Sequence, residues 1–164
     1  MNLIVIGNAE CANDDLVKAK ELFNHYDVMI IGIDAYNKFH NEDIKYFATY
    51  HPADISLIPK IDFQIISHLQ YYDRVDIVRP IDLNNEKSGS SALLGVLAAI
   101  DLGYDKIILC GCPLEGKDKK QHPYKVFQKA WMQKEKLIKP FVRSMSGWTK
   151  SFLGEPIIDW LKNS

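Results

Sequence analysis

The sequence predicts an α/β fold: a single Rossmann-like domain spanning residues 1–164, with a mainly parallel sheet of about five or six strands and helices on both faces. Three observations carry this. The runs NLIVI (2–6), VMIIGID (28–34) and KIILC (106–110) are apolar at successive positions, as strands covered on both faces require. Stretches of helical periodicity separate them, which implies right-handed parallel crossovers. The length of 164 residues suits one core and is short for two.

The elements follow in order. After 2–6 the pair Gly7-Asn8 signals a turn, and a helix is expected with Asn13 as N-cap, Asp14 and Asp15 in its first turn and Leu16, Ala19, Leu22 and Phe23 on its apolar face, ending near His25. The second strand runs 28–34. A third is read over KYFATY (45–50), closed by His51-Pro52 because proline cannot continue the ladder. Residues 54–69 are read as partly helical with an interruption at Pro59, and VDIVRP (75–80) as a fourth strand. In residues 88–112 a Ser/Gly loop opens a helix with Leu93, Val96, Leu97 and Ile100 on one face, Gly103 stops it, and KIILC follows. A last amphipathic helix is expected from Pro123 to Ile138, with Tyr124, Phe127, Trp131 and Ile138 on one stripe, before a C-terminal segment of unassigned structure.

Composition excludes several classes. A hydrophobic share of 47% with 25% charged residues is that of a folded chain rather than a disordered one. Three cysteines cannot build a disulfide framework, and Cys110 and Cys112 lack a second ligand pair for zinc, so the expected compartment is reducing and cytoplasmic. MNLIVIGNAE has no basic leader region and reads as a buried strand, and SALLGVLAAI is too short to cross a bilayer. The formal net charge is -1, yet residues 117–143 hold 9 basic and 2 acidic side chains. Such a stretch attracts phosphate or nucleic acid, or is a solvated helical face.

In parallel sheets, ligands bind beyond the carboxyl ends of the strands. That rule selects Gly7 and Asn8 after the first strand, Asp34 after the second, His51 after the third, and Ser90 and Ser91 at a helix start whose free amides suit phosphate. Each has a structural alternative: a tight turn for Gly7, an N-cap for Ser90, a strand end for His51. Neither a GxGxxG fingerprint nor a GxxxxGK[ST] loop is present.

IVIGNA, IGIDAY and SSALLGVLAAIDLGYDKIILCGCPL resemble the Rossmann-like domain of bacterial sialyltransferases of glycosyltransferase family 42 and the archaeal pterin diphosphokinase-like proteins of similar architecture. FVRSMSGWT and LGEP also resemble short phage-encoded proteins of this group. The resemblance implies that Asn8 and Asp34 match donor-nucleotide contacts and that Ser90 and Ser91 match residues over the sugar or phosphate. The family pattern has Asn where this chain has Asp34, and a longer C-terminal lid bearing a catalytic histidine. His122 and Tyr124 fall in the corresponding region here.

Two principal functions emerge. One is a nucleotide-dependent transferase, with His51 or His122 moving a proton and Lys125 or Arg143 offsetting phosphate charge. The other is a non-catalytic module that sequesters a nucleotide or nucleoside. A nucleic-acid accessory role ranks third, since no helix-turn-helix or RNP signature is present. The ligand expected is a nucleotide or nucleotide sugar, with no metal-ligating residues assigned although a divalent metal accompanying the nucleotide stays compatible. No membrane partner is expected, and a homo-oligomer stays open.

Overall fold

Alternation of buried side chains on the first strand sets the architecture. In the computed structural model, which describes residues 1–59, 62–82, 90–116 and 124–163, β1 (Asn2–Ile6) sends Leu3 and Val5 to one face of the sheet and Ile4 and Ile6 to the other. Both faces are covered by helices. The described strands number seven, and every pairing between them is parallel: β2 (Asp27–Ile31), β3 (Tyr46–Ala48), β4 (Gln64–Ser67), β5 (Ile77–Val78), β6 (Lys106–Cys110) and β7 (Val142–Ser144) complete the order β5-β4-β3-β2-β1-β6-β7. The three long apolar runs therefore lie in the interior, β1 between β2 and β6, as their composition demanded.

Chain order explains the site. From β1 the chain steps outward through β2 to β5, with α1 (Ala12–Lys20) and α2 (Ile33–Phe39) packed on the Ile4/Ile6 face. It then returns through α3 (Ser91–Asp101), on the Leu3/Val5 face, and lays β6 on the other side of β1. Crossovers of one hand that travel in opposite directions must use opposite faces, so the loops leaving β1 and β6 part and open a crevice. The segments α4 (Tyr124–Gln133) and α5 (Glu135–Ile138) cover the α3 side, with Trp131 and Ile138 fully buried. After β7 come α6 (Gly147–Leu153) and α7 (Ile158–Lys162).

Several expectations are corrected. The strand count is seven rather than five or six. The second strand stops at Ile31, because Gly32 turns the backbone to φ 79° and a helix begins at Ile33, so Asp34 sits in a first helical turn rather than at a strand end. Residues 64–67 form a strand within the segment read as partly helical, while Pro52–Leu57 is a 3-10 helix. The strand read over 45–50 keeps only Tyr46–Ala48. The first helix begins at Ala12 and ends at Lys20, with Cys11 rather than Asn13 at its cap. The last amphipathic helix breaks at Lys134, and the C-terminal segment contributes β7. Among the described residues no helix is long and apolar enough to cross a membrane.

Candidate functional site

At the crevice the backbones of the two diverging loops touch. The Gly7 amide donates to Cys110 O at 2.8 Å, and the Ala9 amide to Gly111 O at 3.2 Å. A Cβ on Gly7 would stand 2.5 Å from Gly111 O and 2.7 Å from Cys112 Sγ, and one on Gly111, where φ is 66°, would stand 2.5 Å from Ala12 Cβ. Only glycine permits this approach.

Above the contact lies a cleft with two lobes. The inner lobe, about 370 Å³, is lined by Gly7, Asn8 and Ala9 from β1's exit, Gly32 and Asp34 from the start of α2, His51 and Asp54, Ser90 and Ser91, Gly111 to Leu114, and Tyr124 and Phe127. The outer lobe, about 570 Å³, adds Glu10, Cys11, Glu115, Gly116, Ser146 and Gly147, and shares Asn8, Ala9, Pro113 and Tyr124 with the first. Gly7, Asn8, Asp34, His51, Ser90 and Ser91 thus meet in one cavity. No protein-family model, curated protein or solved structure matches this chain. The site is accordingly read from its own geometry.

The polar side chains fall into two groups. Ser90 and Ser91 are bound into the scaffold: Ser90 Oγ caps α3 by accepting the Leu93 amide at 3.1 Å and also accepts Trp131 Nε1–H at 3.0 Å, while Ser91 Oγ accepts the Tyr50 amide at 2.9 Å. Each hydroxyl can still donate its own proton. Asn8, Asp34 and His51 are exposed, and among the described residues none of their side chains makes a hydrogen bond. Helices α1 and α3 lie on opposite faces of the sheet, and residues 8–11 before α1 and 90–92 at the start of α3 line the cleft.

A buried carboxylate holds the walls together. Asp15 accepts the Gly111 amide at 2.9 Å and the Ser146 hydroxyl at 2.6 Å, joining α1, the exit of β6 and the entry to α6. These two donors offset the cost of burying its charge. For the thiols, burial outweighs the hydrogen bonds that Ser146 makes with Cys11 and the Gly7 backbone makes with Cys112. Burial pushes Cys112 up to about 12 and Cys110 and Cys11 upward as well, so all three free cysteines stay protonated at neutral pH. Among the described residues no three His, Cys, Asp or Glu side chains converge as metal ligands would.

Beside His51, the His68 ring stacks on Tyr50 at 4.0 Å and 6°. Burial, then the charge of His51, pulls His68 below the usual histidine range, and its Nδ1 is buried with no hydrogen-bond partner among the described residues. Such a nitrogen costs roughly 1–3 kcal/mol.

Arg143 and Lys125, both predicted, are not in this cavity. Arg143 donates to Lys139 O at 2.6 Å and Val142 O at 2.8 Å, and its guanidinium lies 4.9 Å from the centre of the Trp160 ring, which also carries Lys106 Nζ at 4.9 Å. Lys106 opens β6, so Arg143 reaches toward the amino end of the sheet, where its charge is taken up by carbonyls and a ring. His122 lies outside the described residues. Lys125 is exposed on α4 and is not part of the lining.

Sequence reasoning missed Asp54, Asp15 and Lys38. Asp54 sits three residues past His51, and Pro52 at the start of a 3-10 turn is the signal that could have placed both on one rim. Lys38 Nζ donates to Asn8 O at 3.3 Å. The sequence reading carries the second strand through Asp34 and gives residues 35–44 no element, so the helix that bears Lys38 is not anticipated.

Proposed function

We propose that this chain binds a nucleotide in the cleft above β1 and β6 and acts as a small transferase on it. The observation that carries the reading is the convergence of Asn8, Asp34 and His51, three polar side chains without partners among the described residues, on the crevice where the parallel sheet reverses its strand order. In this reading the α1 and α3 amides receive phosphate, Asp34 accepts hydroxyl groups of the sugar, and the Tyr124 and Phe127 rings line the space for a base. His51 is the group that gives or takes the proton. The resemblance to glycosyltransferase family 42 agrees with a nucleotide sugar as ligand, and this chain's Asp34 departs from that pattern.

A second reading, a module that holds a nucleotide without transforming it, is favoured by one observation: among the described residues no carboxylate hydrogen-bonds the His51 ring to orient it as catalytic histidines usually are. One series of measurements separates the two. A thermal-shift screen over nucleosides, nucleotides and nucleotide sugars should give a ligand that stabilises the protein by about 2.7 kcal/mol at 100 times its dissociation constant. With that ligand and an acceptor, His51→Ala should cut turnover by about 10²-fold or more in a transferase. A stabilising ligand that is recovered unchanged under all acceptors favours the module, and no stabilisation by any of them rejects the nucleotide reading.

A further inference from the structure

The cleft is short of positive charge. Among its described lining residues there is no Lys or Arg, while Glu10, Asp34, Asp54 and Glu115 are all present. Helix amides alone meet an anion with partial charges, and four carboxylates oppose them. A cation beside this described lining would favour an anionic ligand.

Lys38 is the residue so placed. On α2 it stands one turn after Asp34, on the same side of the helix, in the order that favours an ion pair four residues apart. That pair does not form. Instead Nζ crosses to the β1–α1 loop and donates to Asn8 O at 3.3 Å, and among the described residues this is its one hydrogen bond. Lys20, Lys45, Lys139 and Lys150 each hold a carboxylate, at 2.7, 2.9, 3.4 and 3.5 Å respectively, whereas the bond of Lys38 is to a carbonyl at the cleft wall. An ammonium has three donors, so Lys38 keeps two for a ligand while its bond to Asn8 O holds it beside the loop that leads from β1 to α1.

We infer that Lys38 is the phosphate-selecting residue of this cleft: its ammonium pairs with an anionic phosphate group seated between Asn8 and the start of α1, while Asp34, one turn earlier, faces the uncharged part of the same ligand. The inference rests on the nucleotide reading for the rest of the ligand, and its own content is the anion subsite.

Inorganic pyrophosphate and a nucleoside with its 5′-monophosphate serve as probes. Titrated with pyrophosphate, the wild-type protein should show saturable amide shifts over Asn8 to Ala12. Lys38→Met should weaken that binding about tenfold, the loss of one charge-assisted hydrogen bond, and Lys38→Arg should restore most of it. The advantage of the 5′-monophosphate over its nucleoside should shrink by the same factor in Lys38→Met, with nucleoside affinity unchanged. Absence of pyrophosphate shifts at these amides, or shifts of equal affinity in Lys38→Met, overturns the inference, as does a loss that falls equally on the nucleoside. If pyrophosphate binds through Lys38 and neither nucleoside nor nucleotide improves on it, the anion subsite holds and the nucleotide reading fails. Lys38 is exposed, so the variants keep their fold, which an unchanged melting temperature verifies.

Discussion

The two ends of the sheet use polar side chains in opposite ways. At the amino end they are committed to one another: the Tyr104 hydroxyl donates to Asp27, Lys45 pairs with the same carboxylate at 2.9 Å, Tyr46 and Tyr104 hydroxyls meet at 3.2 Å, and Trp160 donates Nε1–H to Pro140 O at 3.3 Å between two cations. The hollow there, lined by Asn2, Asn24, His25 and Asp27, is shallow and its carboxylate is already occupied. At the carboxyl end Asn8, Asp34 and His51 face the cleft without such partners among the described residues. A polar group that is spent on its neighbours contributes to stability, whereas one held in place with its valences open is available to a ligand.

Four measurements can break or sharpen this contrast. The largest effect is expected from Trp131→Ala, which empties a fully buried site and removes the donor to Ser90: about 3–5 kcal/mol in urea denaturation. Trp131 packs beneath the cleft, so a loss below about 1 kcal/mol would mean that this wall is not a rigid support.

Tyr104→Phe should cost about 1–2 kcal/mol at neutral pH, and its pH dependence tests the amino-end cluster. Burial raises the Asp27 carboxyl, but the Tyr104 hydroxyl and Lys45 ammonium outweigh it and hold Asp27 below the usual carboxylate range. A lowered native value means that the contribution is complete above the unfolded value of about 3.9 and is lost as pH falls through the native one. Without the hydroxyl the native value rises, so the gap between wild type and Tyr104→Phe should narrow from pH 6 to pH 2. A constant gap would show that the ionised carboxylate is not what the hydroxyl serves.

Ser90→Ala should cost about 1–2 kcal/mol, since it removes both the N-cap of α3 and the acceptor of the buried Trp131 indole N–H, and should lower ligand affinity only as far as α3's first turn loosens. Asn8→Ala comes last, changing stability by no more than about 0.5 kcal/mol while weakening the ligand found by thermal shift. Should the two variants reverse roles, with Asn8 structural and Ser90 binding, commitment to neighbours would not be what separates the two groups.

The legible parts of the fold were those that obey one physical constraint at a time. Strands β1, β2 and β6 are buried on both faces, so they leave unbroken apolar runs. Strand β4 does not: Gln64 is exposed, and the isoleucines at 55, 58, 65 and 66 mix helical and strand spacing around Pro59. Strand β7 is three residues long with Arg143 at its centre, too brief for any period. The candidate site followed the same logic. His51 was placed by Pro52 and the strand before it, but Lys38 and Arg143 could not be assigned from charge alone, because which end of the sheet a long side chain reaches depends on the carbonyls and rings around it.

The contact between Gly7 and Gly111 leaves the cleft with a base made of peptide groups. A side chain can be exchanged by a single substitution, but an amide or carbonyl cannot, and here no Cβ fits at either glycine without displacing the opposite loop. Whatever touches the base meets the same donors and acceptors in every variant that folds. For the proposed ligand, preferences can be varied among the described residues along the walls and lip, at Asn8, Asp34, Lys38, His51, Tyr124 and Phe127, while the lowest layer of the cleft is inherited with the fold itself.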